Sequence, residues 1–147
     1  MMEKLDELYR EVILEHYQRP ARKGELPSPT VSVNGANPLC GDELAYQMKL
    51  DNGRIAQIRF AGKGCAISQA AASMLADELE GKTPEQARAL IRSLKAMMQG
   101  QEPASPDELG ELSALEGVRK FPVRVKCAAL SWNVVEQGLD SHEKSGG

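Results

Sequence analysis

Leu44-Ala45-Tyr46-Gln47-Met48-Lys49-Leu50-Asp51-Asn52-Gly53-Arg54-Ile55-Ala56-Gln57-Ile58-Arg59-Phe60 is the stretch that decides the fold. Leu44, Tyr46, Met48 and Leu50 recur at every second residue, the period that places one set of side chains on one face of a strand. Asp51-Asn52-Gly53 follows, and Asn and Gly tolerate the positive φ of a tight hairpin. Ile55, Ile58 and Phe60 form the returning strand, with less regular alternation. Upstream, Val31 and Val33 alternate with polar neighbours before Asn34-Gly35, which gives a third strand. An alternating pattern implies one buried face, so a small three-stranded antiparallel sheet must be covered by helices.

The helices are legible on both sides of the sheet. Leu5, Leu8, Tyr9, Val12, Ile13 and Tyr17 repeat at three- and four-residue spacing until Pro20 closes the segment. Ala66 to Leu79 carries Ile67, Ala71, Met74, Leu75 and Leu79 on an alanine-rich background that favours helix. Thr83-Pro84-Glu85-Gln86 is a capping box with proline in the first turn, followed by Ala87, Leu90, Ile91, Leu94 and Met98. Ser105-Pro106-Asp107-Glu108 repeats that grammar ahead of a shorter helix with Leu109, Leu112 and Leu115, ending near Gly117. Residues 81–118 thus predict two helices with a Gly- and Pro-containing joint. A final helix is expected from Cys127 to about Gln137, ended by Gly138, with a polar, fraying tail over 141–147. The fold class is α+β, in one domain spanning 1–147.

Composition narrows the function. The chain has 147 residues, with 18 basic and 21 acidic side chains and a formal charge of -3. No basic run or Arg-rich aromatic stripe is present, which argues against nucleic acid as a partner. No apolar span reaches membrane length and no signal-peptide core occurs, so the expectation is a cytoplasmic protein without a membrane. No nucleophile, histidine and acid arrangement or phosphate-binding glycine motif is supported either.

Three cysteines stand out, because an odd number cannot all pair within one chain and a reducing compartment disfavours disulfides. Cys40 sits in Asn37-Pro38-Leu39-Cys40-Gly41-Asp42, between two strands. Cys65 ends Gly62-Lys63-Gly64-Cys65, at a helix start. Cys127 follows Arg124-Val125-Lys126 and is also read as a helix start. A cysteine in a first helical turn lies near free amides and the positive end of the dipole, which favours thiolate. Lys63, Arg124 and Lys126 add positive charge nearby. With Asp42, three thiolates make a plausible four-coordinate site at the edge between sheet and helices. His16 is expected to face the surface or a partner, and His142 lies in the tail; neither is read as a ligand.

These stretches, together with Ile13-Leu14-Glu15-His16-Tyr17-Gln18-Arg19-Pro20, Phe60-Ala61-Gly62-Lys63-Gly64-Cys65-Ala66-Ile67-Ser68 and Pro122-Val123-Arg124-Val125-Lys126-Cys127, resemble the U-type iron–sulfur cluster assembly proteins, the IscU/SufU family. The resemblance covers nearly the whole chain. It implies one exposed metal or cluster site held by Cys40, Asp42, Cys65 and Cys127. In the scaffold branch of that family a histidine usually precedes the third cysteine; here Lys126 stands there. The double-proline chaperone-recognition stretch is replaced by Phe121-Pro122-Val123-Arg124, and the interval between Cys65 and Cys127 is lengthened around 81–118. These departures resemble the SufU branch.

That branch implies a zinc-dependent sulfur acceptor working with a pyridoxal-phosphate cysteine desulfurase. Cys40 would receive persulfide sulfur, with Arg124 in support, and Zn2+ would be held by the three cysteines and Asp42. Downstream iron–sulfur scaffold or acceptor proteins are implied as further partners. The chain would then be a sulfurtransferase partner of the desulfurase rather than a stand-alone enzyme. The alternative is a scaffold on which a transient [2Fe-2S] cluster is built on the same four residues, since thiolates suit both zinc and iron–sulfur centres. A structural zinc module that only binds another protein is the third reading.

Overall fold

The computed structural model describes residues 2–38, 41–102 and 106–144. Helix α1 spans Met2–Gln18, strands β1, β2 and β3 span Val31–Asn37, Asp42–Asp51 and Arg54–Lys63, and helices α2 and α3 span Ala66–Leu79 and Pro84–Met98. A 3-10 segment, Pro106–Lys120, and helix α4, Pro122–Lys144, complete the order. The sheet is a meander, β1-β2-β3, antiparallel throughout.

The predicted hairpin forms with Asp51 opposite Arg54. Asn52 and Gly53 take φ of 53° and 75°, the pair of positive values a two-residue turn of this hand requires. The irregular alternation of Ile55 and Ile58 has a physical cause. Lys49 pairs with Gln57 and Leu50 with Ile55, so Ala56 is an extra residue on β3. That bulge turns both isoleucines inward, and both are fully buried. Leu44, Tyr46 and Met48 of β2 and Phe60 of β3 share the same face.

Helices α2 and α4 cover this face. The Tyr46 hydroxyl donates to the Ala72 carbonyl at 2.7 Å, and its complete burial raises the phenol well above its ordinary range. Gly138, expected to end the last helix, instead lies inside α4 where the helix crosses β1. A Cβ there would stand 2.8 Å from Val33 Cγ1, so a side chain would force the helix off the strand. The helix continues through Lys144; residues 145–147 lie outside the described residues.

The predicted capping box of α3 is present in both directions, Gln86 N–H to Thr83 Oγ1 and Thr83 N–H to the Gln86 side chain. The following helix differs from expectation. It is 3-10 rather than α, is broken at Gly110 (φ 53°, ψ -130°), and runs to Lys120 rather than stopping near Gly117. The cap expected at Ser105 lies outside the described residues. The free edge of β3 is covered by the connection after α1, where Phe60 N–H donates to the Arg22 carbonyl at 3.0 Å and Gly24 N–H to the Phe60 carbonyl at 2.9 Å.

Candidate metal centre

The end of the β1–β2 hairpin and the end of β3 meet at one edge of the sheet. Asp42 opens β2 opposite Asn37, and Lys63 closes β3 opposite Glu43. Gly64, with φ of 144°, then turns the chain into Cys65, the N-cap of α2. The turn carries Cys65 back onto Asp42. The Cys65 N–H donates to Asp42 Oδ1 at 2.8 Å, and Cys65 Sγ stands 3.8 Å from Asp42 Oδ2. Gly64 makes this possible, since a Cβ at that position would collide with the Asp42 carboxylate. The sulfur accepts the Ser68 N–H at 3.4 Å, the backbone donation expected of an N-cap.

Cys127 reaches the same place by another route. It was expected in a first helical turn, but α4 starts five residues earlier, at Pro122. Pro122 has no N–H to lose and a φ already suited to a helix, so the stretch that reads as an interruption is the helix start. Cys127 therefore lies in the second turn, away from the free amides, and is buried.

Asp42, Cys65 and Cys127 offer ligand atoms that all lie within 4.8 Å of one another. Cys40, the fourth expected ligand and the expected sulfur acceptor, lies outside the described residues. Asp42 is only 1% exposed, and a buried carboxylate needs compensation that one amide donor supplies only in part. The nearby cations are turned elsewhere: Lys63 pairs with Glu43 at 3.2 Å, and the Arg124 guanidinium lies 4.8 Å from the Phe121 ring centroid. Two sulfurs and a carboxylate gathered at one edge fit a divalent metal such as zinc, or an iron–sulfur cluster. Beside this edge, Arg10, Ile13, Ile67, Phe121 and Arg124 line a groove of about 290 Å³.

A second cluster lies between α1, α2 and the 3-10 segment, and it corrects the reading of His16. Its ring is buried, not at the surface. Nδ1 lies 2.8 Å from Ser73 Oγ, and Nε2 lies 3.1 Å from Glu111 Oε1. An ionised carboxylate only accepts, so Nε2 donates to Glu111. Asp77 Oδ2 stands 3.9 Å from Nδ1. Serine, histidine and acid thus do meet, an arrangement the sequence had not suggested, but Ser73 is fully buried and no substrate can reach it. Arg22 ties Asp77 Oδ1 to Glu80, with both contacts at 2.5 Å. Next door, burial raises the Glu78 carboxyl, and the Glu111 N–H and Lys82 oppose that shift. The sequence signal for His16 was its place on the Val12–Ile13 stripe, one turn on; Tyr17, read as part of that stripe, is 46% exposed. Nothing local marked Ser73, Asp77 or Glu111.

The model of the NifU-like N terminal domain matches residues 8–143. The zinc-dependent sulfurtransferase SufU of Bacillus subtilis (strain 168) is 44% identical over 139 residues, covering 95% of this chain and 94% of that protein. The iron–sulfur cluster assembly scaffold protein IscU of Streptococcus pyogenes serotype M1 is 42% identical over 139 residues, covering 94% and 86%. Among solved structures, a nitrogen-fixing NifU-like protein (N-terminal) from Brucella abortus superposes with a TM-score of 0.84 at 25% identity, covering 95% and 96% of the two chains. No described helix is long and apolar enough to cross a membrane.

Proposed function

The chain belongs to the NifU-like, U-type family of iron–sulfur cluster assembly proteins, and from that premise we propose that it is a zinc-dependent sulfur acceptor for cluster assembly. The observation that carries this reading is the convergence of Asp42, Cys65 and Cys127 at one sheet edge, in a chain closely similar to a zinc-dependent sulfurtransferase. Those three residues, with Cys40, would hold Zn2+. Bound zinc would keep the thiols deprotonated without redox chemistry of its own.

The chain's own contribution is the nucleophile and its setting. The sulfur donor is a pyridoxal-phosphate cysteine desulfurase carrying a persulfide. The Cys40 thiolate attacks the terminal sulfur of that persulfide. The donor's S–S bond breaks, its cysteine leaves as thiolate, and a persulfide forms on Cys40, with no net oxidation. Asp42 is held in place by the Cys65 amide, so that edge stays assembled while Cys40 reacts. Arg124, three residues before Cys127 on α4, would turn from the Phe121 ring to support the anionic sulfur. The protein thus acts as the desulfurase's relay partner, and downstream assembly proteins take the sulfur on.

The test is transfer of labelled sulfur from the desulfurase. Cys40→Ala should leave no reducible persulfide on this chain, and undiminished transfer would discard the assignment.

A second reading is a scaffold for a transient [2Fe-2S] cluster, favoured by the similarity to the Streptococcus pyogenes scaffold protein. Lys126 in the place of the scaffold branch's histidine favours the acceptor. Stoichiometric zinc in protein purified without added iron supports the acceptor; iron with acid-labile sulfide supports the scaffold.

A further inference from the structure

We propose that His16, Asp77 and Glu111 form a second cation site, selective for a divalent first-row ion that prefers nitrogen and oxygen, separate from the thiolate edge. The three residues come from α1, α2 and the 3-10 segment, and their ligand atoms all lie within 4.8 Å of one another. The donor set is one imidazole and two carboxylates, without sulfur. Such a set favours harder ions than a thiolate site does, so the two sites would sort metals by ligand softness.

The local geometry needs little change. Two ligands at about 2.1 Å in a tetrahedral site stand roughly 3.4 Å apart. His16 Nε2 and Glu111 Oε1 are 3.1 Å apart, so an ion can take the place of the proton between them. The ring stays neutral: its proton passes to Nδ1, which then donates to Ser73 Oγ. Asp77 Oδ2 now stands 3.9 Å from Nδ1 rather than Nε2, so its side chain turns towards Glu111 to complete the site. Its Oδ1 is taken by Arg22, which leaves Oδ2 turned towards the ring.

The second nitrogen of His16 is already fixed by Ser73, and such an outer hydrogen bond orients a metal-binding imidazole. Charge is favourable as well. Asp77, Glu78, Glu80 and Glu111 gather here; Arg22 is shared between Asp77 and Glu80, Arg59 also reaches Glu80, and Lys82 lies near Glu78, while no ion pair with a lysine or arginine is found for Glu111 among the described residues. The ring is buried, whereas the Glu111 side chain is 58% exposed, so an ion can enter from the Glu111 side.

Mn2+ is the probe, because it sits low in thiolate affinity and its unpaired electrons mark the site. The full chain, saturated with Zn2+, is titrated with Mn2+. Free Mn2+ is followed by electron paramagnetic resonance, and the histidine ring signals by NMR. The expected result is one bound Mn2+ per chain, with the His16 ring broadened. Glu111→Gln should weaken binding at least tenfold with zinc content unchanged, and His16→Gln should weaken it further. Glu111 is exposed, so its variant folds and decides the question even if the buried histidine variant does not. A His16 ring that stays sharp at saturating Mn2+, or wild-type affinity in Glu111→Gln, overturns the proposal.

Discussion

The two clusters differ in how they are assembled, although each draws on three parts of the chain. At the thiolate edge, Asp42 and Cys65 are placed by backbone: a strand start, a glycine turn and a helix cap, joined by one amide hydrogen bond. Between α1, α2 and the 3-10 segment, His16, Ser73, Asp77 and Glu111 are placed by helix packing, and only side chains connect them. The first cluster leaves Cys65 partly exposed. The second ties α1 to the rest of the molecule. A site set by local backbone keeps its geometry when remote packing loosens, whereas a site set by packing fails with it.

The largest expected effect tests whether the two are independent. Cys127→Ser should remove most bound zinc, a loss of two orders of magnitude or more in affinity, while leaving the His16 ring unperturbed. Metal content after dialysis and the histidine NMR signals read both at once; a displaced His16 ring would show that the clusters are one unit.

Next in size is Gly64→Ala. The added carbon occupies the space of the Asp42 carboxylate, so zinc affinity should fall about 10–100-fold, the usual cost of disturbing a ligand's support. A competition titration with a chromophoric chelator measures it. Unchanged affinity would mean that Asp42 is not a ligand.

His16→Ala probes the other cluster. It strands the buried Ser73 hydroxyl and frees α1, which should cost about 1–3 kcal/mol in urea unfolding. With zinc bound to the wild-type degree, the comparison is sharpened: packing is damaged and the backbone-built edge is intact.

The smallest effect belongs to Thr83→Ala at the α3 cap, remote from both clusters. About 1 kcal/mol of stability should be lost, with no change at either site. A change in zinc affinity there would contradict the separation drawn between the two clusters.

Much of the fold was readable because it is encoded at short range. The Asn52-Gly53 turn, the Thr83–Gln86 box and the alternation of Leu44, Tyr46 and Met48 each act within a few residues. The misreadings share a cause. Gly138 and Pro122 look like boundaries by local propensity, yet Gly138 is needed where α4 meets β1 and Pro122 suits the first helical position. The leucine spacing of three over Leu109, Leu112 and Leu115 serves an α-helix or a 3-10 helix alike, and the break at Gly110 leaves no periodic signal.

The candidate site divides in the same way. The sequence by itself determined the candidate donor types, three cysteines and Asp42 in contexts that resemble one family, and the turn and cap that place Cys65. Only the tertiary structure decided that Asp42, Cys65 and Cys127 meet, since no spacing rule links residues 62 positions apart. It alone also decided that His16 is buried against Ser73, Asp77 and Glu111. Backbone grammar acts over a few residues and is written locally; the meeting of separate helices depends on how their faces pack, and that is fixed only when the whole core closes.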